Sequence, residues 1–194
     1  GGAKYLEPMD RVQNEESADV CNKSQKDIVA QKAVGFIREG SSIFLDGGTT
    51  MMELAKIIPD MYLNVVTNGP DIALAIAEKM RPAITLCGGV LNRKNLAVFG
   101  YSALEMLSKI NIDVAFISAS EECGFTCGFE EQVKLRRLLI EKARSVIILM
   151  DSTKFGRMLP YTFAKMEDVN FLVTDQTPSQ EMLELAQKNN VTIL

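Results

Sequence analysis

Short apolar runs alternate with helical periodicities along nearly all of the chain after residue 23. Apolar residues recur at helical spacing between Ser24 and Gly40, which predicts a first helix. Strands are predicted at 42–46, 63–67, 83–87, 114–118, 145–150, 171–174 and 191–194. Further helices are predicted at 51–58, 71–80, 101–110, 130–143 and 179–189.

These strands are short and apolar on both faces, a pattern typical of parallel strands covered by helices. We therefore predict an α/β fold, an open, mostly parallel sheet of about six or seven strands with helices on both faces. Residues 1–23 are polar with little periodicity, and we predict a linker arm there, followed by one domain at 24–194. Residues 154–166, which contain Gly156 and Pro160, are predicted to form a loop.

The composition is that of a globular protein without a basic face. Of 194 residues, 47% are hydrophobic and 24% are charged. The 21 Lys and Arg against 25 Asp and Glu give a net charge of −4, which argues against direct nucleic-acid binding by this chain. No signal peptide or membrane span is visible, and we expect a cytoplasmic location.

The chain contains no histidine, so it cannot form a Ser-His-Asp triad, a Cys-His pair or a His-based metal site within itself. Its cysteines, predicted to be reduced thiols, are Cys21, Cys87, Cys123 and Cys127. Cys123 and Cys127 form a lone C-x3-C pair, so a metal site is not expected. The sequence also calls for no cofactor.

A glycine- and threonine-rich turn follows the first predicted strand and precedes a helix. It is Asp46-Gly47-Gly48-Thr49-Thr50. Glycines allow close backbone approach, hydroxyls donate hydrogen bonds, and the helix start offers free N–H groups, a combination that suits a phosphate. A tight turn with a threonine N-cap is equally compatible with this segment. The turn is neither a Walker loop nor a dinucleotide fingerprint.

Other strand ends carry residues of the same kind. They are Thr67-Asn68-Gly69-Pro70, Gly88-Gly89, and the segment 151–156 with Lys154. Each is ordinary turn or surface chemistry when taken alone. Because the carboxyl ends of parallel strands share one edge of a sheet, together these segments can face one ligand.

Glu130 and Lys134 are spaced i, i+4 on a predicted helix. The residues alone favour a surface ion pair over a functional one. The functional alternative places Lys134 against a ligand oxygen, with Glu130 holding a hydroxyl or orienting the lysine.

The ordered motifs resemble the C-terminal sensor domain of DeoR-family bacterial transcription regulators, from about Ser24 to Leu194. They are D-G-G-T-T, V-V-T-N-G, C-G-G-V-L, D-V-A-F-I-S-A, E-E-Q-V-K and D-S-T-K-F-G. The opening Gly1-Gly2-Ala3 and Arg11 also resemble that family's linking segment. The family's winged helix-turn-helix domain is absent from this chain, so the resemblance implies either a sensor fragment or a regulator that has lost that domain, and it also implies a homo-oligomer.

The resemblance further implies a fold similar to ribose-5-phosphate isomerase and glucosamine-6-phosphate deaminase, and a phosphorylated sugar or related metabolite as effector. Gly47, Gly48, Thr49 and Thr50 would hold the phosphate. Asp46, Thr67, Asn68, Gly88 and Gly89 would line the sugar side. Glu130, Lys134 and Lys154 would close the pocket.

Catalysis is disfavoured, since the isomerases carry an Asp-Gly-Ala-Asp segment where this chain has Ile117-Ser118-Ala119-Ser120-Glu121. The cysteine-containing loop 121–129 also departs from the family pattern. An isomerase- or deaminase-like enzyme is the alternative function, because Glu121 and Glu130 leave it open. A purely structural oligomerisation module is the third.

Overall fold

A computed structural model describes residues 23–121 and 124–194. The predicted arm, with Arg11, Cys21 and nearly all of 1–23, lies outside the described residues, as does Cys123. The division into an arm at 1–23 and a domain at 24–194 therefore stays a prediction.

The core of the fold is a seven-stranded sheet in which every neighbouring pair is parallel. Its strands are β1 (Ser42–Leu45), β2 (Asn64–Thr67), β3 (Ala83–Leu86), β6 (Val114–Ser118), β9 (Ser145–Leu149), β11 (Phe171–Val173) and β12 (Thr192–Ile193). Their spatial order is β12-β11-β9-β6-β1-β2-β3. This confirms the predicted α/β class.

Helices cover both faces of the sheet. They are α1 (Lys23–Ala33), α2 (Thr49–Ile57), α3 (Pro70–Ala77), α4 (Tyr101–Ser108), α5 (Glu130–Lys142) and α6 (Gln180–Lys188). Buried residues of α1, α2 and α3 share one apolar cluster with Ile43 and Leu45 of β1. Those of α4, α5 and α6 share the other with Phe44. Successive side chains of β1 thus enter opposite cores, as the continuous apolar pattern requires.

Two small antiparallel units were not predicted. One is the hairpin of β4 (Val90–Asn92) and β5 (Ala97–Phe99). The other is a three-stranded sheet of β7 (Ser120–Glu121), β8 (Phe125–Cys127) and β10 (Tyr161–Ala164). The prediction of a loop at 154–166 is therefore wrong, because β10 pairs with β8, a partner more than thirty residues away that local pattern does not reveal.

The strand order changes direction beside β1. The chain passes from β1 to β2 and β3 on one side, then returns to place β6 on the other side of β1. In open α/β sheets a crevice forms outside the carboxyl ends of the strands at such a point. The segments that follow β1 and β6 are therefore positioned to build a binding site.

Candidate functional site

A cavity of about 340 Å³ lies at the carboxyl ends of β1 and β6. The glycine-rich turn and the start of α2 form one part of its wall, and side chains of α5 form another. Its lining residues are Gly47, Gly48, Thr49, Thr50, Asn95, Ser118, Ala119, Ser120, Thr126, Cys127, Gly128, Phe129, Gln132, Arg136, Lys154 and Leu159. The volume is within the usual range for a small-molecule site.

The turn after β1 leaves the start of α2 uncapped by any side chain. Gly48, with φ of 143°, is the N-cap, and it has no side chain that could accept the first-turn N–H groups. Thr49 and Thr50 open the helix at the cavity wall. The threonine N-cap that the sequence left open is therefore not what forms.

Gly47 has a steric reason to be glycine. A Cβ at this position would lie 2.6 Å from the Ala97 Cβ of the β4–β5 hairpin. Its N–H donates to Asp46 Oδ1 at 2.9 Å and to Asn68 Oδ1 at 2.8 Å. This N–H is thus used inside the protein, and the donors of the turn that remain for a ligand begin at Gly48.

Asp46 lies behind the turn in a buried ion pair. Arg136 of α5 donates to Asp46 Oδ2 through Nη2 at 2.7 Å and through Nε at 3.0 Å. The Arg136 side chain is only 4% exposed and the Asp46 side chain only 1%. The guanidinium also lies 4.8 Å from the centroid of the Phe163 ring. Arg136 lines the cavity and Asp46, which was expected on the sugar side, does not.

Thr67 and Asn68, both fully buried, hold the turn from the end of β2. Thr67 Oγ1 donates to the Leu45 carbonyl at 2.7 Å and accepts the Gly69 N–H at 3.0 Å. Asn68 receives the Gly47 N–H, and its carbonyl receives the Val98 N–H at 2.7 Å. Neither residue lines the cavity; they support the turn that does.

Gly88 and Gly89 lead from β3 into the β4–β5 hairpin and also lie outside the cavity lining. Gly89 has φ of 142°, and a Cβ there would lie 2.3 Å from the Phe99 carbonyl oxygen. These glycines therefore act through the hairpin, which brings Ala97 against Gly47.

The two faces of α5 separate the remaining candidates. Glu130 and Lys134 are 3.6 Å apart, with side chains 65% and 66% exposed, and neither lines the cavity. Gln132 and Arg136 share the same four-residue spacing, are buried, and do line it. Lys154, in the 3₁₀ turn Ser152–Lys154, lines the cavity.

Sequence reasoning missed Arg136, Gln132, Ser118 and Asn95. A signal was present for the first two, because both fall on the apolar stripe of α5 with Leu135 and Leu139. Ser118 and Asn95 carried no such signal, since their position depends on β6 ending at the switch point and on the hairpin turn.

Two buried polar atoms at the cavity wall have no hydrogen-bond partner among the described residues. They are Ser118 Oγ and Asn95 Nδ2. Buried polar atoms are nearly always paired.

The described cysteines are not activated. Burial raises the pKa of the Cys87 thiol to about 12. Burial also raises the pKa of Cys127, against the lowering effect of the Arg136 charge. Cys127 lines the cavity, but a raised pKa keeps it as the thiol at neutral pH, so it is a poor nucleophile.

Among residues 23–121 and 124–194 there is no cluster of three or more acidic, cysteine or histidine side chains that could hold a metal ion. No helix in that part of the chain is both long and apolar enough to cross a bilayer. A second cavity, of about 520 Å³, lies between the 152–156 segment and the start of α6.

The fold and the cavity at its switch point together define an α/β ligand-binding domain. The comparisons give its family: residues 21–176 match the family described as the DeoR C terminal sensor domain. The chain belongs to this family, which confirms the resemblance drawn from the motifs. It is the sensor class of transcriptional regulator, and this supports the prediction that the chain is not an enzyme.

The chain matches curated transcriptional regulators over most of their length. The HTH-type transcriptional regulator GlpR of Haloferax volcanii is 31% identical over 198 residues, covering 100% of this chain and 77% of the relative. The HTH-type transcriptional repressor GlcR of Bacillus subtilis is 31% identical over 172 residues, covering 88% and 67%. The glycerol-3-phosphate regulon repressor of Escherichia coli is 27% identical over 173 residues, covering 87% and 69%.

Solved structures share the fold at low identity. The translation factor subunit eIF2B delta of Chaetomium thermophilum gives a TM-score of 0.56 at 13% identity, covering 91% of this chain and 68% of that one. Ribose 5-phosphate isomerase A of Methanocaldococcus jannaschii gives 0.49 at 15% identity, covering 69% of this chain and 55% of that one. The TM-score of the isomerase is too low to support any assignment. The likeness to eIF2B delta shows a shared fold and nothing about function.

Proposed function

We propose that this chain senses a phosphorylated sugar or related metabolite, bound in the cavity at the end of β1. The observation that carries the proposal is the chemistry of the wall. It combines the uncapped start of α2, the hydroxyls of Thr49 and Thr50, and the cation Lys154, while the charge of Arg136 is balanced by Asp46. No Asp or Glu is among the described lining residues. Such a wall favours an anion over a neutral or cationic ligand.

The phosphate would bind at Gly48, Thr49 and Thr50, with Lys154 closing over it. Hydrogen bonds to a charged group contribute about 1.5–3 kcal/mol each before ordering costs. Four such bonds, less those costs, correspond to a Kd between about 0.2 mM and 1 μM. This range suits a protein that follows a metabolite concentration.

The sugar end would extend toward Ser118 and Asn95, whose buried polar atoms need partners. A polyhydroxylated ligand supplies donors and acceptors for both. The regulon named for the Escherichia coli relative is that of glycerol 3-phosphate, a small phosphorylated polyol, and this supports the same ligand class here.

The effector signal would pass through α1. Gln25 Nε2 donates to Ser152 Oγ at 3.3 Å, and Lys32 Nζ donates to the Thr174 carbonyl at 2.7 Å. Ser152 belongs to the same 3₁₀ turn as Lys154. If Lys154 closes on a ligand, the turn that contains it would move Ser152 and with it the hydrogen bond to Gln25 of α1. Helix α1 follows the predicted arm, so this movement would reach the arm.

On this proposal the response reaches operator DNA through a helix-turn-helix domain, in a cytoplasmic homo-oligomer. A coupling of about 1–3 kcal/mol would change operator affinity roughly 5–150-fold. Deleting the residues before Ser24 would alter the oligomeric state, and an unchanged state would count against the arm as the link.

A thermal-shift panel of phosphorylated sugars, glycerol 3-phosphate and inorganic phosphate tests the proposal. We expect at least one phosphorylated compound to raise Tm, while the matching unphosphorylated sugar does not. The Thr49→Ala variant should lose most of the response. The matched control is Lys134→Ala, whose side chain lies outside the cavity. A response untouched by Thr49→Ala, or no response to any phosphorylated compound, would refute the site.

A further inference from the structure

We propose that Arg136 is a positioning residue that makes the turn receptive to a dianion by neutralising Asp46. This inference rests on the proposed function of the cavity. It assigns a role to a pair that the motifs do not link, because ninety positions separate the two residues in sequence.

The pair adjoins the turn that would hold the anion, and Arg136 also lines the cavity. Asp46 precedes Gly47, and its Oδ1 accepts the Gly47 N–H at 2.9 Å. Its Oδ2 accepts two bonds from Arg136. One carboxylate therefore both fixes the first peptide of the turn and adds a negative charge beside it.

That charge opposes the proposed ligand. A phosphate bound at Gly48 and Thr49 would lie next to a carboxylate that is 1% exposed. Water screens buried charges poorly, so an unpaired Asp46 would repel a dianion strongly. Arg136 brings an equal positive charge to 2.7 Å from the same oxygen, and the repulsion is cancelled at its source.

The guanidinium is held where this cancellation works. Its Nε and Nη2 both contact Oδ2, and its plane lies near the Phe163 ring. The rigid α5 carries it, and only 4% of the side chain is exposed. Lys134, on the outer face of the same helix, is 66% exposed and cannot replace it.

The test compares Arg136→Gln, Asp46→Asn and the double variant for the Kd of inorganic phosphate, measured by thermal-shift titration. Arg136→Gln should weaken binding at least about tenfold, since it leaves the buried carboxylate unpaired. Asp46→Asn should tighten binding, because its Oδ1 can still accept the Gly47 N–H while the arginine charge is released. The double variant should return to within about threefold of the unaltered protein.

The double variant separates this role from direct ligand contact. If it binds phosphate as weakly as Arg136→Gln does, or if Asp46→Asn does not tighten binding, the inference is overturned. Arg137→Gln is the matched control, because Arg137 is the next residue of α5 and lines a different cavity; its Kd should not change.

Failure of the inference is distinct from failure of the function. An unaltered protein that responds to no phosphorylated compound refutes the function. Circular dichroism checks that each variant folds. Should Arg136→Gln not fold, the double variant still decides the question, since it leaves neither a buried carboxylate nor a buried guanidinium unpaired.

Discussion

Helix α5 presents two pairs of polar residues with the same four-residue spacing and opposite environments. Glu130 and Lys134 form an exposed ion pair on its outer face. Gln132 and Arg136 lie on its inner face, buried against the cavity. Spacing alone does not separate the pairs, whereas burial does.

The difference shows where an ion pair has consequences. An exposed pair gains little, because water already solvates both charges. A buried pair such as Asp46 and Arg136 has lost that solvation, so each charge depends on the other. Ligand binding at this site should therefore be sensitive to the buried pair of Asp46 and Arg136, and nearly indifferent to the exposed pair of Glu130 and Lys134.

The largest contrast should be in stability. Arg136→Ala is expected to lower the free energy of unfolding by about 3–5 kcal/mol, because it leaves Asp46 buried without a counter-charge. Lys134→Ala should cost less than about 0.5 kcal/mol. Urea denaturation of both variants measures the two effects. Equal losses of unfolding free energy would mean that the buried Asp46–Arg136 pair is no more strongly coupled than the exposed Glu130–Lys134 pair.

A second contrast is between Gly47, which lines the cavity, and Gly88, which lies outside its lining. Gly47→Ala should cost about 1–3 kcal/mol, since its Cβ would lie 2.6 Å from the Ala97 Cβ. Gly88→Ala should cost under about 1 kcal/mol, because no atom lies within 4 Å of a Cβ there. Thermal denaturation compares them. A neutral Gly47→Ala would show that the turn is not confined by the hairpin.

Ligand binding should follow the inner face as well. Gln132 Oε1 accepts the Phe129 N–H at 3.3 Å, and Gln132 lines the cavity. Gln132→Ala should weaken binding of a phosphorylated sugar about three- to tenfold, the loss of one hydrogen bond. Glu130→Ala should change the Kd less than about twofold. Isothermal titration gives both values, and a larger effect at Glu130 would reverse the assignment of the faces.

The smallest effect belongs to the outer pair itself. Glu130→Gln should lower stability by about 0.3–0.5 kcal/mol at low salt. The loss should disappear at high salt, where the pair is screened. Denaturation midpoints at two salt concentrations test this. A salt-independent loss would indicate that Glu130 makes a contact other than the exposed pair.

The fold was predictable from sequence because each parallel strand and helix has its own local apolar pattern. The small sheet was not, because β8 and β10 become strands only through pairing with each other. Gly48, Thr49, Thr50 and Lys154 could be brought together from sequence, since strand ends share one edge, and the structure has all four in the cavity lining. The position of Arg136 on the apolar stripe of α5 was readable from the sequence, but its pairing with Asp46 was not, because ninety positions separate the two residues.

The central claim is that an anion binds at the uncapped start of α2, and amide chemical shifts test it most directly. Titration with inorganic phosphate and then with a phosphorylated sugar should move the amide signals of Gly48, Thr49 and Thr50 most. The largest shifts at Ser179 and Met182 would instead place the ligand in the second cavity. That result, or no shift at all, would contradict the account.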